Sequence, residues 1–263
     1  SSGPGSVPVK LLSIFDTVGA LGIPLNAFWK ENRDLRGFHD VALSEICEHS
    51  VHAVAIDEHR EAFEATLWRR LPFAAEPANV EQVWFAGAHA DVGGGYERRD
   101  ASHLDDITLD WMMRRIIAIG GADFPLDPPA GLLQGTCARA PQHEPRQGLY
   151  RFMPYVFRSI GNQPVPVASR PFERNVCLDR HSKPIGEAIH VSAIERLGQQ
   201  IKIDGVDAPY VPRNLVAALH FQAALKEEDI AIPVIGWSGS SLPRHQAMQL
   251  IKDGLARARI GRT

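Results

Sequence analysis

The chain has 263 residues, enough for a sizeable buried core, with 44% hydrophobic and 22% charged residues, the balance of an ordinary globular protein. Its net charge of −3 leaves no basic footprint of the kind that nucleic acid requires, and no run of about 18 apolar residues marks a membrane span. Three widely spaced cysteines, Cys47, Cys137 and Cys177, suit neither a disulfide framework nor a CxxC metal site. They read as reduced thiols of a chain made in the cytosol.

The opening "SSGPGSVPVK" is small and polar and has no apolar core of a signal peptide. Residues 1–6 read as a tag remnant, and residues 7–263 as the fold proper. The run Val9 to Phe15 predicts a buried strand that turns at Asp16-Thr17-Val18-Gly19. Apolar residues near helical spacing from Val41 to Ala55 predict a helix. "VEQVWFAGAHADVGGGY" is a second strand followed by a loop. "LDDITLDWMMRRIIAIG" starts on two aspartates and ends on glycine, which marks a helix.

Proline and glycine crowd the segment from about 123 to 180, which reads as a loop-rich insertion. "GEAIHVSAIERL" reads as a short helix, followed by the loop "DAPYVPRNL". A helix is expected after Leu215. "IAIPVIGWSGSSLPRHQAMQLIKDGLARAR" reads as strand, serine-rich turn and helix. Strands alternating with helices predict an α/β fold with a mostly parallel sheet flanked by helices. Sites on such sheets lie at the carboxyl ends of strands, where both Asp16 and His89 would sit.

A histidine at a strand end is a general base if a carboxylate fixes its tautomer. Asp16 and His89 could be such a pair. Taken singly, each also fits a turn or a satisfied polar residue. Gly93, Gly94 and Gly95 permit positive φ and close backbone approach. No Lys-Ser/Thr follows them, so a phosphate cradle is poorly supported. Asp91 reads as an acceptor for the free N–H groups of that loop.

"SIFDTVGALGIP", "HAVAIDEHREAFEATLW", "VWFAGAHADVGGGY", "LDDITLDWMM" and "IHVSAIERL…YVPRNL" together resemble the DUF2235 family of α/β-hydrolase-like proteins. That family includes the type VI secretion lipase effectors of the first Tle group. The resemblance implies a serine-type hydrolase acting on phospholipid acyl esters, without cofactor or metal. It assigns the catalytic aspartate to Asp16 and the catalytic histidine to His89, with Thr17, Asp91, Gly93, Gly94 and Gly95 in support. His52 and His190 lie in family-like segments, His52 as a structural residue and His190 as a cap or packing residue. The implied partners are a phospholipid, a secretion apparatus and an immunity protein. The implied location is the producing cell's cytoplasm, with delivery to a target cell without a signal peptide.

One departure from the family is large. No G-x-S-x-G nucleophile elbow occurs in the sequence. The family's upstream aspartate-glycine-threonine strand end is absent too. The expectation is therefore the C-terminal part of an α/β-hydrolase-like domain, lacking its N-terminal strands and elbow. A preceding segment or a second chain would supply the nucleophile, and the open sheet edge would favour pairing with another chain. Ser238, Ser240 and Ser241 follow a strand, but Gly236-Trp237-Ser238-Gly239-Ser240 lacks the final glycine, and a loop or cap role suits them better. Ser13 and Ser44 are poorer candidates still. The alternative to an enzyme is a degenerate, non-catalytic module that binds lipid or protein through the apolar stretch Phe152 to Phe157.

Overall fold

The computed structural model describes residues 7–18, 47–69, 79–97, 103–121, 126, 137–166, 173–176, 184–226, 229 and 231–260. The strands among them are β1 (Val9–Phe15), β2 (Cys47–Ala55), β3 (Val80–Phe85), β4 (Tyr155–Arg158), β5 (Glu173–Val176), β6 (Glu187–His190), β7 (Gln200–Ile203), β8 (Val206–Pro209) and β9 (Val234–Ile235). The helices are α1 (His89–Gly93), α2 (Leu104–Gly120), α3 (Val191–Arg196), α4 (Arg213–Ala224) and α5 (Arg244–Ile260).

The main sheet has the order β1-β2-β3-β6-β9, and every ladder in it is parallel. Its strand ends therefore all point to one edge, which gathers the residues after β1, β2, β3 and β6. The expected α/β architecture, a mostly parallel sheet with flanking helices, is what the structure shows. Two smaller ladders accompany it, β4 with β5 and the hairpin β7–β8.

The sheet divides two cores. Val51, Ala53, Ala55, Val83 and Phe85 face α2, where they meet Ile107, Trp111 and Met112. Val54, Ile56 and Trp84, one residue out of step, face α4 and α5 and meet Leu215, Leu219, Ile251 and Leu255. Successive residues of a strand point to opposite faces, and here both faces are covered.

This double burial corrects one expectation. The segment read as a helix from Val41 to Ala55 is strand β2 over Cys47–Ala55, with residues 41–46 outside the described residues. A strand buried on both faces loses the polar alternation that would reveal it, and its apolar residues can mimic helical spacing. Two smaller corrections follow from pairing that spans loops. "GEAIHVSAIERL" holds strand β6 before helix α3, and the loop before α4 contains the β7–β8 hairpin. The helices α2, α4 and α5 match their expected positions. Within the loop-rich region, β4 and two 3-10 turns, Cys137–Arg139 and Gly148–Phe152, supply order.

β1 and β9 are the edge strands of the main sheet among the described residues, and most side chains of β1 are only half-buried. The apolar stretch at 152–157 divides: Phe152 is exposed, whereas Val156 and Phe157 are buried. Trp111→Ala should therefore cost about 3–5 kcal/mol in denaturant unfolding, by loss of buried area and a residual cavity. Phe152→Ser should stay within about 0.5 kcal/mol of the unsubstituted chain.

Candidate active site

Asp16 follows directly on β1. Its backbone N–H donates to Ala53 O at 2.7 Å, and its φ is +39°. Aspartate is one of the few residues that tolerates such a left-handed turn. The turn swings the carboxylate over the end of β2, where Oδ1 accepts the Ala55 N–H at 2.8 Å. The next N–H, of Thr17, donates to His52 Nε2 at 3.1 Å. Thr17 also accepts the Thr66 N–H on its carbonyl oxygen, so the contacts seen for it are through its main chain.

Asp16 is fully buried, and a buried carboxylate needs compensation. Arg158, the last residue of β4, supplies it. Its Nη1 donates to Asp16 Oδ1 at 2.6 Å and its Nη2 to Oδ2 at 3.1 Å. Nη1 also donates to Ala55 O at 2.8 Å, and Nη2 to Phe63 O. Burial by itself would push the Asp16 carboxyl up. The Arg158 charge and the hydrogen bonds from His89, Arg158 and Ala55 outweigh it and hold the group well below the usual carboxylate range.

β4 reaches this position because it docks on the chain that leaves β2. Val156 N–H donates to His59 O at 3.1 Å, and His59 Nδ1 bonds Val156 O at 3.0 Å. The His59 ring stacks on Tyr155. Two residues beyond Val156, Arg158 meets Asp16.

His89 opens the short helix α1 just past the end of β3. Its Nδ1 lies 2.8 Å from Asp16 Oδ2. Because Asp16 is ionised, Nδ1 carries the hydrogen, and Nε2 is left as the ring's acceptor. The side chain is 31% exposed, so the ring is not sealed from an incoming group. Phe63 packs edge-on against it at 5.3 Å between centroids. Glu58 accepts the His89 N–H at 3.3 Å and is itself held bidentate by Arg60, at 2.9 and 2.7 Å.

The glycine segment divides in role. Gly93 is helical, whereas Gly94 and Gly95 have φ of +78° and +137° and carry the chain out of α1. Gly87, before the helix, has φ +110°, and a Cβ there would lie 2.5 Å from Asp91 Cβ. Asp91 closes the first turn of α1 by accepting the Ala88 N–H at 3.0 Å. Its other oxygen pairs with His143 Nδ1 at 2.7 Å, and the His143 ring stacks on Tyr96. That bond pushes the His143 imidazole up from its usual value.

His52 lies in strand β2, not in a helix, and is fully buried. Burial pushes it down to about 4, so it stays neutral and braces the Asp16-Thr17 turn while its Nδ1 faces Gln82 Oε1. His190 caps α3: its Nδ1 accepts the Ser192 N–H, and burial pushes it down to about 3. Ser238, Ser240 and Ser241 lie in a tight turn after β9, closed by Gly236 N–H to Ser240 O at 2.9 Å. Ser13 lies within β1, and Ser44 lies outside the described residues. Among the described residues, no group of three or more His, Cys, Asp or Glu side chains could hold a metal ion.

The structure thus brings Asp16 and His89 together and adds Arg158, Glu58 and His143, which the sequence did not single out. "DEHR" directly after a buried strand was a visible charge cluster. Arg158 and His143 carry no local signal, because both come from the loop-rich region.

The fold and this pair define an α/β protein with an Asp–His couple at the carboxyl edge of a parallel sheet. Residues 2–115 match the family model for the type VI secretion phospholipase effector Tle1-like catalytic domain. The match covers four of the five motif segments, with Asp16 and His89 among them, and ends before "IHVSAIERL…YVPRNL" and Arg158. No curated protein and no solved structure matches the chain. No helix among the described residues is long and apolar enough to cross a membrane.

Asp57, at the end of β2, makes one pH-dependent prediction. Its buried Oδ2 accepts from Gly87 N–H at 2.7 Å and from Tyr210 O–H at 2.9 Å. Burial nevertheless pushes it up to about 7. A group raised on folding contributes stability below its ordinary value of 3.8, and loses it as pH rises through about 7. Asp57→Asn does not titrate. Its stability relative to the unsubstituted chain should rise by about 2–3 kcal/mol between pH 5 and pH 8, read from denaturant melts.

Proposed function

We propose that this chain supplies the acid–base half of a serine-type lipid ester hydrolase, of the phospholipase A kind, working as an antibacterial effector. The observation that supports this is the 2.8 Å contact between His89 Nδ1 and a buried, ionised Asp16. Such a couple leaves Nε2 as a base. A serine hydroxyl would hand its proton to Nε2 as it attacks the acyl carbonyl. His89 would then return the proton to the leaving alcohol, while Asp16 stabilises the imidazolium.

The nucleophile is a serine in an elbow that this sequence does not contain, carried by another stretch of polypeptide. Ser238, Ser240 and Ser241 are poor substitutes, since their turn folds on itself. The substrate class rests on the family match over residues 2–115. Delivery by a secretion apparatus rests on the same match; the producing cell's cytoplasm as location and an immunity protein as partner are proposed from the motif resemblance alone.

The test uses a catalytically competent protein that includes this chain. His89→Ala should lower kcat/KM on phospholipid esters about 10³–10⁴-fold, with vesicle binding retained. Unchanged turnover would overturn the assignment and favour a lipid- or protein-binding module. If the chain itself hydrolyses esters and His89→Ala abolishes this, the nucleophile lies among its own serines.

A further inference from the structure

The Asp–His couple has a further side chain bonded to it. Arg158 is buried, and both of its terminal nitrogens bond to Asp16. We infer that Arg158 is a positioning residue of the site: it fixes the plane of the Asp16 carboxylate and cancels its charge, so that His89 works against an ion-paired rather than a bare aspartate. This rests on the reading of His89 as the base.

The geometry carries two arguments. The first is orientation. Arg158 is tied to Ala55 O and Phe63 O as well as to Asp16, so its guanidinium is held from both sides. A planar fork held in this way leaves the carboxylate little freedom to rotate. Oδ2, the oxygen that meets His89, is thereby kept on line with Nδ1. Asp16 also carries the left-handed φ of +39°, and the fork secures that turn.

The second is charge. A bare buried aspartate would strongly favour the imidazolium beside it. Arg158 offsets that field. The other charged and titratable groups facing this site do not duplicate it. Glu58, which accepts the His89 N–H, is paired with Arg60. His52, which faces both Asp16 and Arg158, is kept neutral by burial. On α1 itself, Asp91 is paired with His143. Arg158 is thus the cation that answers Asp16, and His89 faces an ion-paired carboxylate.

The experiment follows the His89 ring by NMR across pH in the chain of this sequence, and it needs no turnover. In Arg158→Met the titration midpoint of His89 should lie about one pH unit higher than in the unsubstituted chain, a tenfold gain in proton affinity. Arg158→Lys, which restores the charge, should return the midpoint close to its original place. A folded Arg158→Met with an unmoved midpoint would mean that Arg158 is only structural, and the inference fails. The unsubstituted chain gives a readout that does not depend on a variant folding. The Arg158 guanidinium N–H resonances should shift with the same midpoint as His89, and resonances that stay still across that transition overturn the inference. An inactive His89→Ala enzyme combined with an unmoved midpoint separates the two claims: His89 is then the base, but Arg158 does not tune it.

Discussion

A carboxylate buried at the end of a sheet has to be answered by donors and a cation, or it will not stay ionised. Asp16 meets that demand from four directions: Ala55 N–H, His89, and the two Nη groups of Arg158. The three donor residues arrive from different parts of the chain. β1 presents the carboxylate, β2 the amide, the end of β3 the imidazole, and β4 the guanidinium. The tertiary arrangement around these ends is therefore tied together by one desolvated charge. Arg158 also bonds Ala55 O and Phe63 O, so the same residue pins the exit of β2.

The parallel sheet makes this convergence possible. In the order β1-β2-β3-β6-β9, neighbouring strands end on the same side, so residues far apart in sequence meet without any long excursion. The exits of β2 and β3 are locked further by Ile56 N–H to Phe85 O and Asp57 N–H to Gly87 O. Gly87 is needed there because a side chain would strike Asp91. Asp91 in turn closes the first turn of α1, and α1 sets the direction of His89. The glycine and acid of "GAHADVGGGY" thus serve the histidine through packing and through the helix start.

Buried histidines show how burial separates roles among like residues. His52, His59 and His190 are all pushed down by desolvation and stay neutral. They brace the Asp16 turn, dock β4 and cap α3 respectively. His89 and His143 are part-exposed and each faces a carboxylate. Exposure with a carboxylate partner sets these two apart from the histidines that hold the frame.

The sequence by itself determined the α/β class, the strand ends that carry Asp16 and His89, and the helices at Leu104–Gly120 and Arg244–Ile260. These are local matters: apolar runs, acidic helix starts and glycine stops act over a few residues. It also carried the motifs behind the family resemblance. The tertiary structure alone decided that residues 47–55 form a strand, because burial on both faces erases the alternation that identifies one. It alone decided that Arg158 and His143 join the site, because they come from a segment without periodicity and reach it through long-range pairing. The direction in which Asp16 points belongs to the same category. A left-handed φ and an ion pair across 142 residues are consequences of the assembled sheet, and no local pattern encodes them.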